Sequence, residues 1–151
     1  MPVRKIPLSG RSLTGRVARP GDDGSAEFES SLERDLYSLL VFDKRRYAGF
    51  EVQPVRIAFT DNQGRIRTYT PDVLIYFIAD PVTGHRPPPV LAEVKYRNDL
   101  FEQWKKLKPK FKAARAFSRE QGWQRFRILT EVEIRTPYLA NVKFLRGFTL
   151  T

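Results

Sequence analysis

The sequence predicts an α/β fold: one domain with a mixed central sheet flanked by helices. Two observations carry this expectation. Two long stretches, about 26–42 and 99–121, repeat apolar residues at helical spacing. Between and after them lie short β-branched and aromatic runs bounded by turn residues, which is the mark of strands. No internal repeat or linker divides the 151 residues, a length that suits one domain with a real core.

The elements follow in order. Residues 1–25 form a basic arm containing Arg4, Lys5, Arg11, Arg16 and Arg19, ending in the loop Gly21–Ser25. The first helix carries Phe28, Leu32, Leu36, Leu39 and Leu40 on one stripe, with Glu29 and Glu33 a turn apart beside it. A strand is expected over 50–60, with a parity change at Gln53-Pro54 that suggests a bulge or an edge. The Asp61-Asn62-Gln63-Gly64 turn leads into a returning strand over 65–70. Residues 72–77 and 90–96 read as further strands, the first covered on both faces.

The second long helix is expected over 99–121, broken or kinked at Pro109, and ended by Gly122. Its buried face is read as Phe101, Trp104, Leu107, Phe111, Ala114 and Phe117 or Ser118, and Trp123 is likewise assigned to the core. A last strand covers 126–130. The domain is bounded at 26–135, and 136–151 is a short tail, helical or irregular.

Composition narrows the chemistry. There is no cysteine, which removes disulfides, thiol catalysis and zinc–thiolate sites. The single histidine, His85, sits in a Pro/Gly-rich loop, which argues against histidine metal clusters and Ser-His-Asp triads. Any metal would be held by oxygen, which selects a hard cation such as Mg2+ or Mn2+. The net charge of +10 favours an anionic partner, nucleic acid before membrane. The start MPVRKIPLSG has no apolar run resembling a signal peptide, and no segment offers 18 consecutive apolar residues, so a cytoplasmic protein is expected.

The chemistry-bearing fragments are Tyr69-Thr70-Pro71-Asp72 and, 21 residues after Asp72, Glu93-Val94-Lys95. A Glu-x-Lys on an exposed strand is usually an ordinary surface charge pair. Here apolar residues flank Glu93 and Lys95, and Asp72 opens a second apolar strand. Charge in an interior strand is costly and needs a cause. If the two strands are neighbours, two carboxylates and an ammonium converge, the set that metal-dependent phosphodiester hydrolysis uses. Carboxylates hold the metal, and the lysine orients or deprotonates the attacking water.

These residues resemble the PD-(D/E)xK restriction-endonuclease-like nucleases, with Pro71-Asp72 and Glu93-Val94-Lys95 as signature. Within that group the chain is most similar to the TnsA-like endonuclease subunits of heteromeric cut-and-paste transposases. The further supporting fragments are Ser30-Ser31-Leu32-Glu33, Val52-Gln53-Pro54 and Thr130-Glu131, with Gly10-Arg11-Ser12 and Thr14-Gly15-Arg16 in the arm. The resemblance implies a catalytic set of Glu33, Asp72, Glu93 and Lys95. Glu33, Asp72, Glu93 and the Val94 backbone carbonyl would bind one or two Mg2+ or Mn2+ ions, with Gln53 in support. Glu29 is the alternative to Glu33, its competing assignment being a solvated helix face.

The resemblance also implies double-stranded DNA at transposon ends as substrate, and a transposase subunit and an AAA+ regulator as partners, in a bacterial or phage setting. Relatives often carry a C-terminal helical domain that engages those partners. With few residues after 135, that domain is expected to be missing or reduced. DNA contacts are assigned to Arg11, Arg16, Arg19, Lys105, Lys106, Lys108 and Lys112. For the helix, seven cations between 105 and 119 leave a DNA-facing stripe and an ordinary solvated face both open. Two other readings remain: a stand-alone phage or repair nuclease with the same core, and a non-catalytic DNA-binding assembly subunit.

Overall fold

The computed structural model describes residues 4–5 and 24–149, with side chains described from 31 to 143. Its order is β1 (Arg4–Lys5), α1 (Gly24–Phe42), β2 (Tyr47–Val52), β3 (Val55–Thr60), β4 (Ile66–Tyr69), β5 (Val73–Phe77) and β6 (Val90–Val94). Then come α2 (Arg97–Glu102), α3 (Trp104–Glu120), β7 (Arg127–Leu129), α4 (Glu131–Ile134) and α5 (Pro137–Thr149).

The central sheet has the order β2-β5-β6-β7 and is mixed: β5 is antiparallel to both β2 and β6, while β7 is parallel to β6. All five residues of β6 are buried, as expected of a strand covered on both faces. On one face, Leu32, Leu36 and Leu40, spaced one turn apart along α1, pack on Phe50, Val73, Ile75, Ala92 and Val94. Tyr37 stacks on Phe50 with ring centroids 4.8 Å apart. Each such leucine, fully buried, contributes roughly 1.5–3 kcal/mol. On the other face, α3 lays Leu107, Phe111, Ala114 and Phe117 over Leu74, Leu91, Val55, Ile57 and Tyr69. Helix α5 packs on α1 and buries Leu139 and Val142.

Three expectations are corrected. The strand expected over 50–60 is two strands in two sheets, because β3 leaves the central sheet and pairs with β4 and β1. The turn is made at Gln53, whose φ of 50° lies in the left-handed region. Next, the long helix breaks at Gln103 (φ −105°, ψ 15°) instead of at Pro109, which lies inside α3. A proline lacks the N–H that would bond the carbonyl four residues back. That carbonyl belongs to Lys105, and it accepts a hydrogen bond from Asn62 Nδ2 at 2.9 Å instead. The β3–β4 turn thus supplies the donor that Pro109 lacks, and the helix continues.

The third correction concerns the helix's apolar face. The early part of the expected face is wrong: Phe101 is 86% exposed and Trp104 42%. The break at Gln103 resets the helical phase, so of the expected face the part from Leu107 onward is the part buried in the core.

Gly122, with φ 75°, ends α3 as expected. Its N–H bonds Arg119 O at 3.1 Å, and that of Trp123 bonds Ser118 O at 2.9 Å, the pair of bonds a left-handed glycine makes at a helix end. Trp123 is partly buried and packs edge-on against Phe117. No helix among the described residues is long and apolar enough to cross a membrane.

Candidate active site

Strands β5 and β6 are neighbours, and their register sets the site. Val73 pairs with Ala92, so Asp72 and Glu93, one step further along, stand opposite each other. Side chains alternate across a strand. Val73, Ala92 and Val94 therefore point to α1, and Asp72 and Glu93 point to the face that α3 covers. Both are nearly buried, 9% and 7% exposed.

Two like charges at such positions need compensation. Asp72 Oδ2 accepts the Val94 N–H at 2.7 Å, which ties the first carboxylate to the backbone of the second strand. Glu93 Oε1 accepts the Tyr69 hydroxyl at 2.6 Å, and Lys95 Nζ lies 3.9 Å from Glu93 Oε2. Burial first, and then the Glu93 charge, hold the Tyr69 hydroxyl pKa well above its ordinary value, so it remains a donor at neutral pH. Gln53 is exposed, and its backbone N–H bonds Asp72 O at 2.8 Å.

Lys110, on α3, completes the near surroundings. Its Nζ sits 5.7 Å from the centre of the Tyr69 ring. Burial lowers its pKa most, Lys106 and Lys95 lower it further, and Glu93 acts the other way. Lys95 and Lys110 thus both bring an ammonium group towards Glu93.

Glu33 is 2% exposed on α1, beneath the opposite face of the sheet. Among the described residues no group of three or more His, Asp or Glu side chains stands close enough to hold a metal ion. The fold thus brings Asp72, Glu93 and Lys95 together. Glu29 has no described side chain, and Arg11, Arg16 and Arg19 lie outside the described residues. Lys105, Lys106, Lys108 and Lys112 are all exposed. Lys105 and Lys106 line a cleft against the β3–β4 turn. Lys108 and Lys112 lie on the outward side of α3.

Sequence reasoning did not place three residues at the site. Tyr69 lies in the Tyr69-Thr70-Pro71-Asp72 fragment, but only the fold shows that its hydroxyl reaches Glu93. Lys110 is one cation among seven until the fold selects it. Glu51, 4% exposed, accepts a long 3.4 Å bond from Tyr76, and the Tyr76 pKa is raised by burial and by that charge. Its position inside a β-strand was the available signal.

A mixed four-stranded sheet between helices, with carboxylates at the start of one strand and the end of its neighbour, defines a restriction-endonuclease-like core. Residues 46–131 match the model of the family described as TnsA-like endonuclease N terminal. That is more than half of the chain, and the chain belongs to this family. The matched segment contains Gln53, Asp72, Glu93, Val94 and Lys95, and begins after Glu33. No curated protein and no solved structure matches the chain.

Proposed function

We propose that this chain is a metal-dependent DNA endonuclease that cuts at the 5′ ends of a transposon beside a separate transposase subunit and an AAA+ regulator. The observation that carries the nuclease reading is the buried pair Asp72–Glu93 on adjacent strands with Lys95 beside it. The transposon substrate and the protein partners rest on family membership.

The donor set fits a hard divalent cation, since it is all oxygen and the two carboxylates face one another. Asp72 and Glu93 would hold Mg2+ or Mn2+ together with the Val94 carbonyl, and Glu33 would join them from α1. The cation supplies charge for the phosphate and acidifies a bound water. The remaining work falls to the chain. The Val94 N–H fixes one Asp72 oxygen, and the Tyr69 hydroxyl fixes one Glu93 oxygen, so both carboxylates are oriented before substrate arrives. Lys95 orients the attacking water or takes its proton, and its charge offsets the one that develops on the phosphate.

A second reading has one observation in its favour. Among the described residues no group of three or more acidic side chains stands close enough to hold a metal ion, which favours a non-catalytic DNA-binding assembly subunit. Plasmid nicking in Mn2+, with partner proteins added where the chain alone is inert, separates the two. Asp72→Ala and Lys95→Ala are expected to fold and to lose cleavage by at least about a hundredfold, on the scale of a general base and its metal. Undiminished nicking by either variant rules out the assigned site, and metal-independent binding without hydrolysis favours the second reading.

A further inference from the structure

A cleft of about 600 Å3 separates the β3–β4 turn from the first half of α3. Its lining includes Asp61, Asn62, Arg67, Lys105, Lys106 and Lys110. Asp61 is already engaged by Arg67 at 3.0 Å and Arg65 at 3.7 Å. Among the described residues, Lys105, Lys106 and Lys110 form no ion pair with a carboxylate. Among the described residues the cleft therefore sets four cations, Arg67, Lys105, Lys106 and Lys110, against the one carboxylate of Asp61.

Lys110 connects this cleft to the catalytic cluster. Lys106 and Lys110 are one helical turn apart on the same flank of α3, next to the buried stripe. Lys110 also lies over the ring of Tyr69, whose hydroxyl holds Glu93. A half-buried ammonium without a close carboxylate is costly unless an anion comes to meet it. A basic cleft that Lys110 joins, through Tyr69, to Glu93 suits a chain of phosphates running towards the carboxylates.

We propose that this cleft holds the backbone of the DNA strand next to the cut, with Lys106 and Lys110 each contacting a phosphate and Lys110 placing the strand on the Asp72–Glu93–Lys95 cluster. The inference rests on the endonuclease reading for the identity of that cluster, but the binding it describes needs no cleavage. Burial and the neighbouring Lys106 and Lys95 already lower the Lys110 pKa, and an arriving phosphate would reverse that. On this account the outward lysines Lys108 and Lys112 have no phosphate partner.

The test is fluorescence anisotropy with a DNA duplex in chelator at several salt concentrations, on the full chain. Lys110→Gln and Lys106→Gln are each expected to weaken binding roughly tenfold, the scale of one lost charge-assisted hydrogen bond. Each should also lower the slope of log affinity against log salt by about 0.9, the counterions of one phosphate. Lys110→Arg should restore both. Lys44→Gln, in the turn before β2 at the far end of that strand from the site, is the control and should change neither.

Wild-type affinity and slope in Lys110→Gln overturn the proposal, whatever cleavage does. If Lys110→Gln fails to fold, the exposed Lys106→Gln decides by the same criterion. Loss of binding in Lys110→Gln while Asp72→Ala still cuts DNA would keep the cleft and reject the nuclease site.

Discussion

Replacing Tyr69 with phenylalanine removes one hydroxyl from the centre of the site and leaves its volume almost unchanged. The hydroxyl donates to Glu93 Oε1 at 2.6 Å and is buried. A hydrogen bond to a charged group contributes about 1.5–3 kcal/mol, so Tyr69→Phe should lose about that much stability at neutral pH. The pH dependence is more diagnostic. In the folded chain the Tyr69 pKa stands well above the ordinary 10.0, held up by burial and by Glu93. The unfolded chain ionises this tyrosine near its ordinary value. A raised folded pKa gives stability that is complete below the unfolded value and is lost as pH climbs towards the folded one.

Above pH 10 the wild type should therefore lose about 1.4 kcal/mol per pH unit relative to Tyr69→Phe, until the folded group ionises. Urea unfolding of both proteins across that range measures the difference, in which Tyr76, Tyr138 and the lysines cancel. A difference between the two proteins that stays constant with pH would refute the assignment of Tyr69 as the buried donor to Glu93.

Two other outcomes follow from particular contacts. Asn62→Ala removes the donor that substitutes for Pro109 and should cost about 1 kcal/mol, or about 2–4 °C in melting temperature for a chain of this size. In the same cycle Pro109→Ala restores an N–H to Lys105 O, so the loss in the double variant should be smaller than in Asn62→Ala alone; simple additivity of the two changes contradicts the contact. Glu33→Gln keeps the side chain's shape and removes its charge from a position only 2% exposed. If Glu33 is the third ligand, calorimetry should show divalent-metal affinity falling roughly tenfold or more in a folded protein; unchanged affinity would make Glu33 a core residue only.

The elements that could be read from sequence are those whose signal is local. Leu32, Leu36 and Leu40 repeat with the helix and do face the sheet. The Asp61–Gly64 turn and the Gly122 helix end carry their own chemistry, and both occur where expected. Asp72 and Glu93 stood out because charge interrupts apolar strands, and the register places them opposite each other. What escaped depends on contacts between distant segments. Nothing near Pro109 in the chain shows that Asn62 rescues its missing hydrogen bond. Gln53-Pro54 signalled an irregularity, but only the pairing of β3 with β4 shows that the chain changes sheets there. Phe101 and Trp104 fit the helical period on paper and lost their place in the core once the phase broke at Gln103. Lys110 differed from its six basic neighbours only through Tyr69, 41 positions earlier.

The central claim is that Asp72 and Glu93 form a divalent-metal site. Calorimetric titration of the full chain with Mg2+ or Mn2+, wild type beside Asp72→Ala, tests it most directly. The account predicts saturable binding to the wild type that is lost in Asp72→Ala, with both proteins folded by circular dichroism. Absence of binding to the wild type even with DNA present, or equal binding to Asp72→Ala, would contradict it and leave a basic DNA-binding module.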